Sequence, residues 1–146
     1  MGLLQNFSKP RGFFGRVISL LMNYGEHAQL GRWGMSFVEL PIQADILDLG
    51  CGGGGNLERW LECYPDAHVS GIDYSPVSVS IATGWNEKAI SQDRCEVILS
   101  GVNKLPFRND SFDAISSFES IYFWKNMDKA LVEAYRVLKP GGVLLL

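Results

Sequence analysis

Ala44–Gly55 reads ADILDLGCGGGG. The short apolar run predicts a strand, Asp48 puts a carboxylate at the strand's carboxyl end, and the glycines break it. A helical pattern begins at once. A strand stopping in a glycine turn at a helix N-terminus lets a ligand approach the backbone closely and aims backbone N–H groups at it. Downstream the chain alternates helix and strand, which holds such a turn on the rim of a parallel sheet.

The first strand spans 45–49, and the helix after the glycines carries Leu57, Trp60 and Leu61 on one face. A second strand, 68–72, runs into Asp73. Ser75 and Pro76 open a helix, as N-cap and first helical residue. Val77, Ile81, Trp85 and Ala89 continue it at every fourth residue. A third strand is expected over 95–99. Leu105-Pro106-Phe107 and the turn formers Asn109-Asp110-Ser111 lead to a fourth over 112–118. Asn126 caps a last helix with an apolar stripe from Met127 to Leu138. Lys139-Pro140-Gly141-Gly142 reads as its stop, and Val143–Leu146 opens a fifth strand.

Upstream, residues 1–10 read as a loose arm. Phe14, Val17, Ile18 and Leu21 then fall on one face of a helix from Arg11 to Tyr24. Lys9, Arg11 and Arg16 near its start are too few to mark a membrane-surface helix, and packing on the domain is expected instead. A shorter helix is expected over 26–40, interrupted near Gly31–Gly34 and ended before Pro41.

A chain of 146 residues, 47% hydrophobic and 20% charged, has the size and composition of one folded domain. Its net charge of −3 gives no basic footprint for nucleic acid. No apolar run is long enough to span a membrane. Cys51, Cys63 and Cys95 are odd in number, widely spaced and without a C-x-x-C pair, so neither a disulfide framework nor a metal site is expected. Reduced thiols and a cytoplasmic location are the expectation.

Two ligands compete for the glycine turn. Gly50, Gly52 and Gly55 satisfy G-x-G-x-x-G and Asp73 follows 18 residues later, the pattern of a dinucleotide site and an NAD-dependent oxidoreductase. In a glycine-rich run that match is cheap. Asp48 points elsewhere, because a carboxylate beside the turn repels a pyrophosphate and attracts a cation. S-adenosylmethionine carries a sulfonium, an α-amino group, a ribose and an adenine. Asp48 suits the amino group, the helix N-terminus suits the carboxylate, and the two oxygens of Asp73 suit both ribose hydroxyls.

Ile46-Leu47-Asp48-Leu49-Gly50-Cys51-Gly52-Gly53-Gly54 resembles the first motif of the class I S-adenosylmethionine-dependent methyltransferases. Gly71-Ile72-Asp73-Tyr74-Ser75 resembles their second. Leu105-Pro106-Phe107 with Ser111-Phe112-Asp113 resembles the approach to their fourth strand, and Arg136 to Gly142 the segment into their fifth. Four motifs in order, over residues 44–146, favour the methyl donor over the dinucleotide. The resemblance implies a Rossmann-like three-layer α/β/α sandwich with a mainly parallel sheet. It divides the chain into a helical arm or lid, 1–43, and a cofactor-binding domain, 44–146, without the family's strands 6 and 7.

The resemblance further implies that Asp48, Gly50, Cys51, Gly52, Gly54 and Asp73 line the cofactor site. Tyr74 would lie along the adenine or ribose, or pack on the sheet rim. Val102 and Asn103 match the loop framing the adenine. Many members carry an acid near that position; Gly101-Val102-Asn103 stands here, which passes the contact to the Asn103 side chain or to backbone. Asp113 is read as structural. In the arm, Trp33 covers the sulfonium end or only packs a lid helix, and His27 is a packing or surface histidine before it is a base. The aromatic loop Phe118 to Trp124 supplies the candidate catalytic groups, Glu119 and Tyr122, to orient or deprotonate a small-molecule acceptor; Glu119 also stands as a cofactor contact. Phe118, Phe123 and Trp124 are expected in the core. No Asn-Pro-Pro-Tyr follows strand 4, which disfavours nucleic-acid base-amino methyltransferases. Ending in strand 5, the chain presents an apolar sheet edge and an expectation of self-association. It also reads as a non-catalytic, cofactor-binding fragment of a longer methyltransferase.

Overall fold

The structure, a computed structural model, describes Tyr24 and residues 26–146; the expected helix from Arg11 into Tyr24, and the side chains of Glu26 and His27, lie outside the described residues. Helix α1 (Glu26–Met35) precedes β1 (Asp45–Leu49), α2 (Gly55–Cys63), β2 (His68–Asp73), α3 (Pro76–Trp85) and α4 (Glu87–Ser91). Then come β3 (Cys95–Leu99), β4 (Phe112–Ser116), a 3-10 turn (Ile121–Phe123), α5 (Met127–Val137) and β5 (Leu138–Leu145).

The strands form one sheet in the order β3-β2-β1-β4-β5, and every pairing is parallel. This is the Rossmann-like α/β arrangement. β1 is covered on both faces, which is why its sequence is a nearly continuous apolar run. Ile46 joins the core under α1, α2 and α3 with Trp60, Leu57 and Ala82. Leu47 and Leu49 join the opposite core with Ala134 and Val137 of α5. The chain reverses its winding between β1 and β4, and ligands in open α/β sheets bind at the carboxyl ends beside that switch.

Both expected caps form. Ser75 Oγ accepts from Ser78 N at 3.4 Å, with Pro76 at the first helical position, and Asn126 Oδ1 accepts from Lys129 N at 3.0 Å. At the amino ends of the strands, away from the switch, Asp113 Oδ2 accepts from Lys139 Nζ and from Asp45 N, each at 2.8 Å. Asp113 is the structural residue expected.

Several boundaries differ from expectation. α1 runs unbroken through Gly31 and Gly34 and ends at Met35. A Cβ at Gly31 would stand 2.5 Å from Asn56 Oδ1, and one at Gly34 2.8 Å from the Phe118 ring; these glycines let α1 lie close to its neighbours rather than break it. The long helix expected after Ser75 divides at Asn86, whose Nδ2 donates to the carbonyls of Gly54 and Ala82, each at 3.0 Å. β4 ends at Ser116, before Phe118. Lys139 to Gly142 lies inside β5 rather than before it. The register jumps from Phe112↔Leu138 to Ala114↔Val143, so the Pro-Gly-Gly segment is a bulge, with Gly141 at φ 79°.

Candidate functional site

The turn between β1 and α2 is tied down from three sides. Gly50 N and Cys51 N both donate to the Ile72 carbonyl, at 2.8 and 2.9 Å, fastening the turn to the end of β2. Gly52 N donates to Asp73 Oδ2 at 3.0 Å. The N–H groups of Gly50, Cys51 and Gly52 therefore hold the turn together.

From the β4 side, Ser120 Oγ donates to the Leu49 carbonyl at 2.6 Å and lies 2.6 Å from Ser117 Oγ. A Cβ on Gly50 would meet Ser120 at 2.6 Å. Gly50 thus serves the close approach of the post-β4 loop. This contact brings Glu119, the residue before Ser120, beside the turn. Glu119 holds a left-handed φ of 57°, a strained setting for a non-glycine residue that is common at functional sites.

The glycines divide by role. Gly54, at φ 83°, is closed in by α3: a Cβ there would stand 2.8 Å from Ala82 Cα. Gly52, at φ 53°, would place a Cβ where no atom lies within 4 Å. Gly52 is the open side of the turn.

Two carboxylates stand under it. Asp73 is buried; Oδ2 accepts from Gly52 N, and Oδ1 accepts from Ser75 N at 2.8 Å. Burial raises its pKa, and the N–H bonds from Ser75, Gly52 and Tyr74 pull it back. Each oxygen keeps further acceptor capacity. Asp48 is more enclosed, 2% exposed, and accepts from Ser116 Oγ at 2.6 Å. Burial drives its pKa up to about 7; the Ser116 hydrogen bond and Arg59 oppose the rise and Asp73 adds to it. Two acids in one small buried region favour a positively charged guest.

The remaining expected residues scatter around this centre. Cys51 has its side chain in the core and its N–H committed to β2, and burial pushes its thiol well up. Tyr74 is exposed at the rim, next to Asp73. Val102 packs on the core below β1 and β2. Asn103 holds its Oδ1 buried with no hydrogen-bond partner, an acceptor suited to an amino donor. Trp33 is 62% exposed and makes an edge-on ring contact with Phe37 at 4.9 Å. Tyr122 is 82% exposed on the 3-10 turn. Phe118 and Trp124 pack on the two cores as expected, whereas Phe123 is 43% exposed. Ser117, Ser120, Ser116 and Trp60 were missed from sequence; no motif marks them, and only folding brings them to the turn. Among the described residues no group of His, Cys, Asp and Glu could hold a metal ion, and no helix is long and apolar enough to cross a membrane.

A family model described as a methyltransferase domain matches residues 47–146, from β1 through β5. The chain belongs to this methyltransferase domain family. Erythromycin 3''-O-methyltransferase of Saccharopolyspora erythraea is 36% identical over 100 residues, 68% of this chain and 33% of its own. The 24-methylenesterol C-methyltransferase 2 of Arabidopsis thaliana is 37% identical over 109 residues, 75% of this chain and 30% of its own. This methyltransferase domain therefore spans about a third of the length of the curated relatives it matches. Among solved structures, the [4+2]-cyclase SpnF superposes with a TM-score of 0.74 at 28% identity, covering 82% of this chain and 44% of that one. A cyclase on the methyltransferase fold shows that the reaction must be argued from site residues, not from architecture.

Proposed function

We propose that this domain holds S-adenosylmethionine for transfer of its methyl group to a small-molecule acceptor. The observation that carries this is the pair of buried carboxylates at the carboxyl ends of β1 and β2, one of which, Asp73, is bonded to the open Gly52.

The residues present suit the cofactor. Asp73 has acceptor capacity left for both ribose hydroxyls. The orphaned Asn103 Oδ1 suits the adenine amino group, with Val102 and Tyr74 framing the ring. The negative charge of Asp48 suits the cationic end, and Glu119 lies beside the turn where a further polar contact is needed. When bound, the cofactor supplies an already activated methyl on a positive sulfur. The protein's share is to align the partners and exclude water, which is worth roughly 7–11 kcal/mol of barrier. Glu119 and Tyr122 are the groups proposed to orient the acceptor or take its proton; Trp33 is proposed to close over the sulfur end from the arm.

Relatives named for a macrolide and a sterol support a small organic acceptor over nucleic acid. Three cysteines free of disulfides among the described residues support a cytoplasmic setting.

The oxidoreductase reading requires a pyrophosphate at the glycine turn beside Asp48, and the charge of that carboxylate opposes it. Calorimetric titration of the folded chain separates the two. Saturable heat with S-adenosylmethionine and none with NADH is expected. Binding of NADH alone overturns the methyl-donor reading.

A further inference from the structure

Beneath the glycine turn, three buried polar side chains form one hydrogen-bonded series. Trp60 Nε1 donates to Ser116 Oγ at 3.0 Å, and Ser116 Oγ donates to Asp48 Oδ1 at 2.6 Å. Trp60 and Ser116 are fully buried and Asp48 nearly so. An indole N–H can only donate. It therefore occupies the acceptor side of the Ser116 hydroxyl and leaves that hydroxyl's single proton for Asp48. The direction of the series is set: helix to strand to carboxylate.

The three residues come from the elements that meet at the switch point. Trp60 lies on α2, the helix that starts from the glycine turn. Ser116 closes β4 and is the register partner of Asp48 on β1. A serine or tryptophan needed only to fill the core gains nothing by carrying polar atoms there, since a buried hydroxyl or N–H costs free energy unless it is paired. Paired in this direction, both stabilise the ionised form of the carboxylate.

We propose that Ser116 and Trp60 are positioning residues for the methyl donor: they orient Asp48 and hold it as an anion under the turn, and so set the site's affinity for a positively charged cofactor. This rests on the S-adenosylmethionine reading above. Asp48 need not touch the cofactor to act, because the field of a buried charge is weakly screened and acts beyond contact distance. The other groups that bear on Asp48 are Asp73 on β2, which opposes its ionisation, and Arg59 on α2, which supports it. The Cys51 thiol in the turn stays neutral, its pKa pushed well up by burial.

The sign of the pH effect follows. The anionic form of Asp48 attracts the cofactor, and protonation removes the attraction. With its pKa at about 7, affinity is full above neutrality and falls as pH drops through that value, by up to about tenfold per unit. Loss of the Ser116 hydroxyl removes a group that favours the anion, so the midpoint moves up.

The test is calorimetric titration of the full chain with S-adenosylmethionine across pH 5.5–8.5, with circular dichroism to confirm folding. Wild type is expected to show affinity falling below about pH 7. In Ser116→Ala the midpoint rises by about one unit, and Ser116→Thr, which keeps the hydroxyl, restores it. Trp60→Phe, which keeps the ring and loses the N–H, moves the midpoint in the same direction and serves if Ser116→Ala fails to fold. In Asp48→Asn the pH dependence flattens. Wild-type binding with the same midpoint in Ser116→Ala and Trp60→Phe overturns this inference and leaves the cofactor reading standing. No binding by wild type at any pH overturns the cofactor reading, and this one with it.

Discussion

Asp73→Ala abolishes cofactor binding while the sheet stays folded. The carboxylate does two jobs with one pair of oxygens. Inward, it accepts from Gly52 N at 3.0 Å and Ser75 N at 2.8 Å, holding the turn and the start of α3 in place. Outward, its spare acceptor sites face the position proposed for the ribose. Hydrogen bonds to a charged group contribute about 1.5–3 kcal/mol each. Loss of two from the ligand therefore weakens binding by at least about a hundredfold. The inward loss leaves the N–H groups of Gly52, Tyr74 and Ser75 without their acceptor and lowers stability by about 1–3 kcal/mol for each one that water does not reach. Asp73→Asn refines the point: its amide keeps one acceptor oxygen but turns a donor toward N–H groups that the carboxylate accepts from, and its effect falls between wild type and alanine. Calorimetry reads the affinity and thermal unfolding reads the stability. Unchanged affinity in Asp73→Ala contradicts the assignment.

Gly52→Ala and Gly54→Ala separate binding from folding. Both glycines have left-handed φ, 53° and 83°, where a side chain costs about 1–2 kcal/mol. At Gly54 the added methyl also stands 2.8 Å from the Ala82 backbone and 2.6 Å from Asn86 Nδ2. Backbone cannot yield cheaply, and overpacking adds about 1–3 kcal/mol. Gly54→Ala is therefore a folding mutant, with a total loss of about 2–5 kcal/mol in urea unfolding. At Gly52 the methyl meets open space, and the stability loss stops near the backbone term. That open space is where the cofactor is proposed to sit, so Gly52→Ala loses affinity well beyond its loss of stability. A Gly52→Ala protein that binds like wild type places the ligand elsewhere.

The strands flanking the site were legible because each is a compact apolar run. β1 and β2 are buried on both faces, and burial on both faces writes itself as uninterrupted hydrophobicity. Asp48 and Asp73 stood out because a carboxylate at the end of such a run contradicts its surroundings. Ser75-Pro76 and Asn126 were legible because capping is a local transaction within one turn of chain. What failed was long-range. Gly31 and Gly34 read as breaks, yet their purpose is the approach of Asn56 and Phe118, residues far along the chain. Lys139 to Gly142 has the composition of a helix stop and serves instead as a bulge, because β4 offers a partner strand on which to continue. The N–H groups of Gly50, Cys51 and Gly52 are taken by the Ile72 carbonyl and the Asp73 carboxylate, partners from another strand that no local pattern names. The Trp60–Ser116–Asp48 series joins residues 56 and 68 positions apart, and no spacing rule marks it.

The central claim is that the open side of the turn, between Asp73 and Asn103, receives the nucleoside of a methyl donor. A crystal structure of the chain with S-adenosylhomocysteine tests it most directly. The account predicts both ribose hydroxyls within hydrogen-bond distance of the Asp73 carboxylate and the adenine amino group on Asn103 Oδ1, with Gly52 against the ligand. A ligand seated away from Asp73, with Gly52 still open, contradicts it.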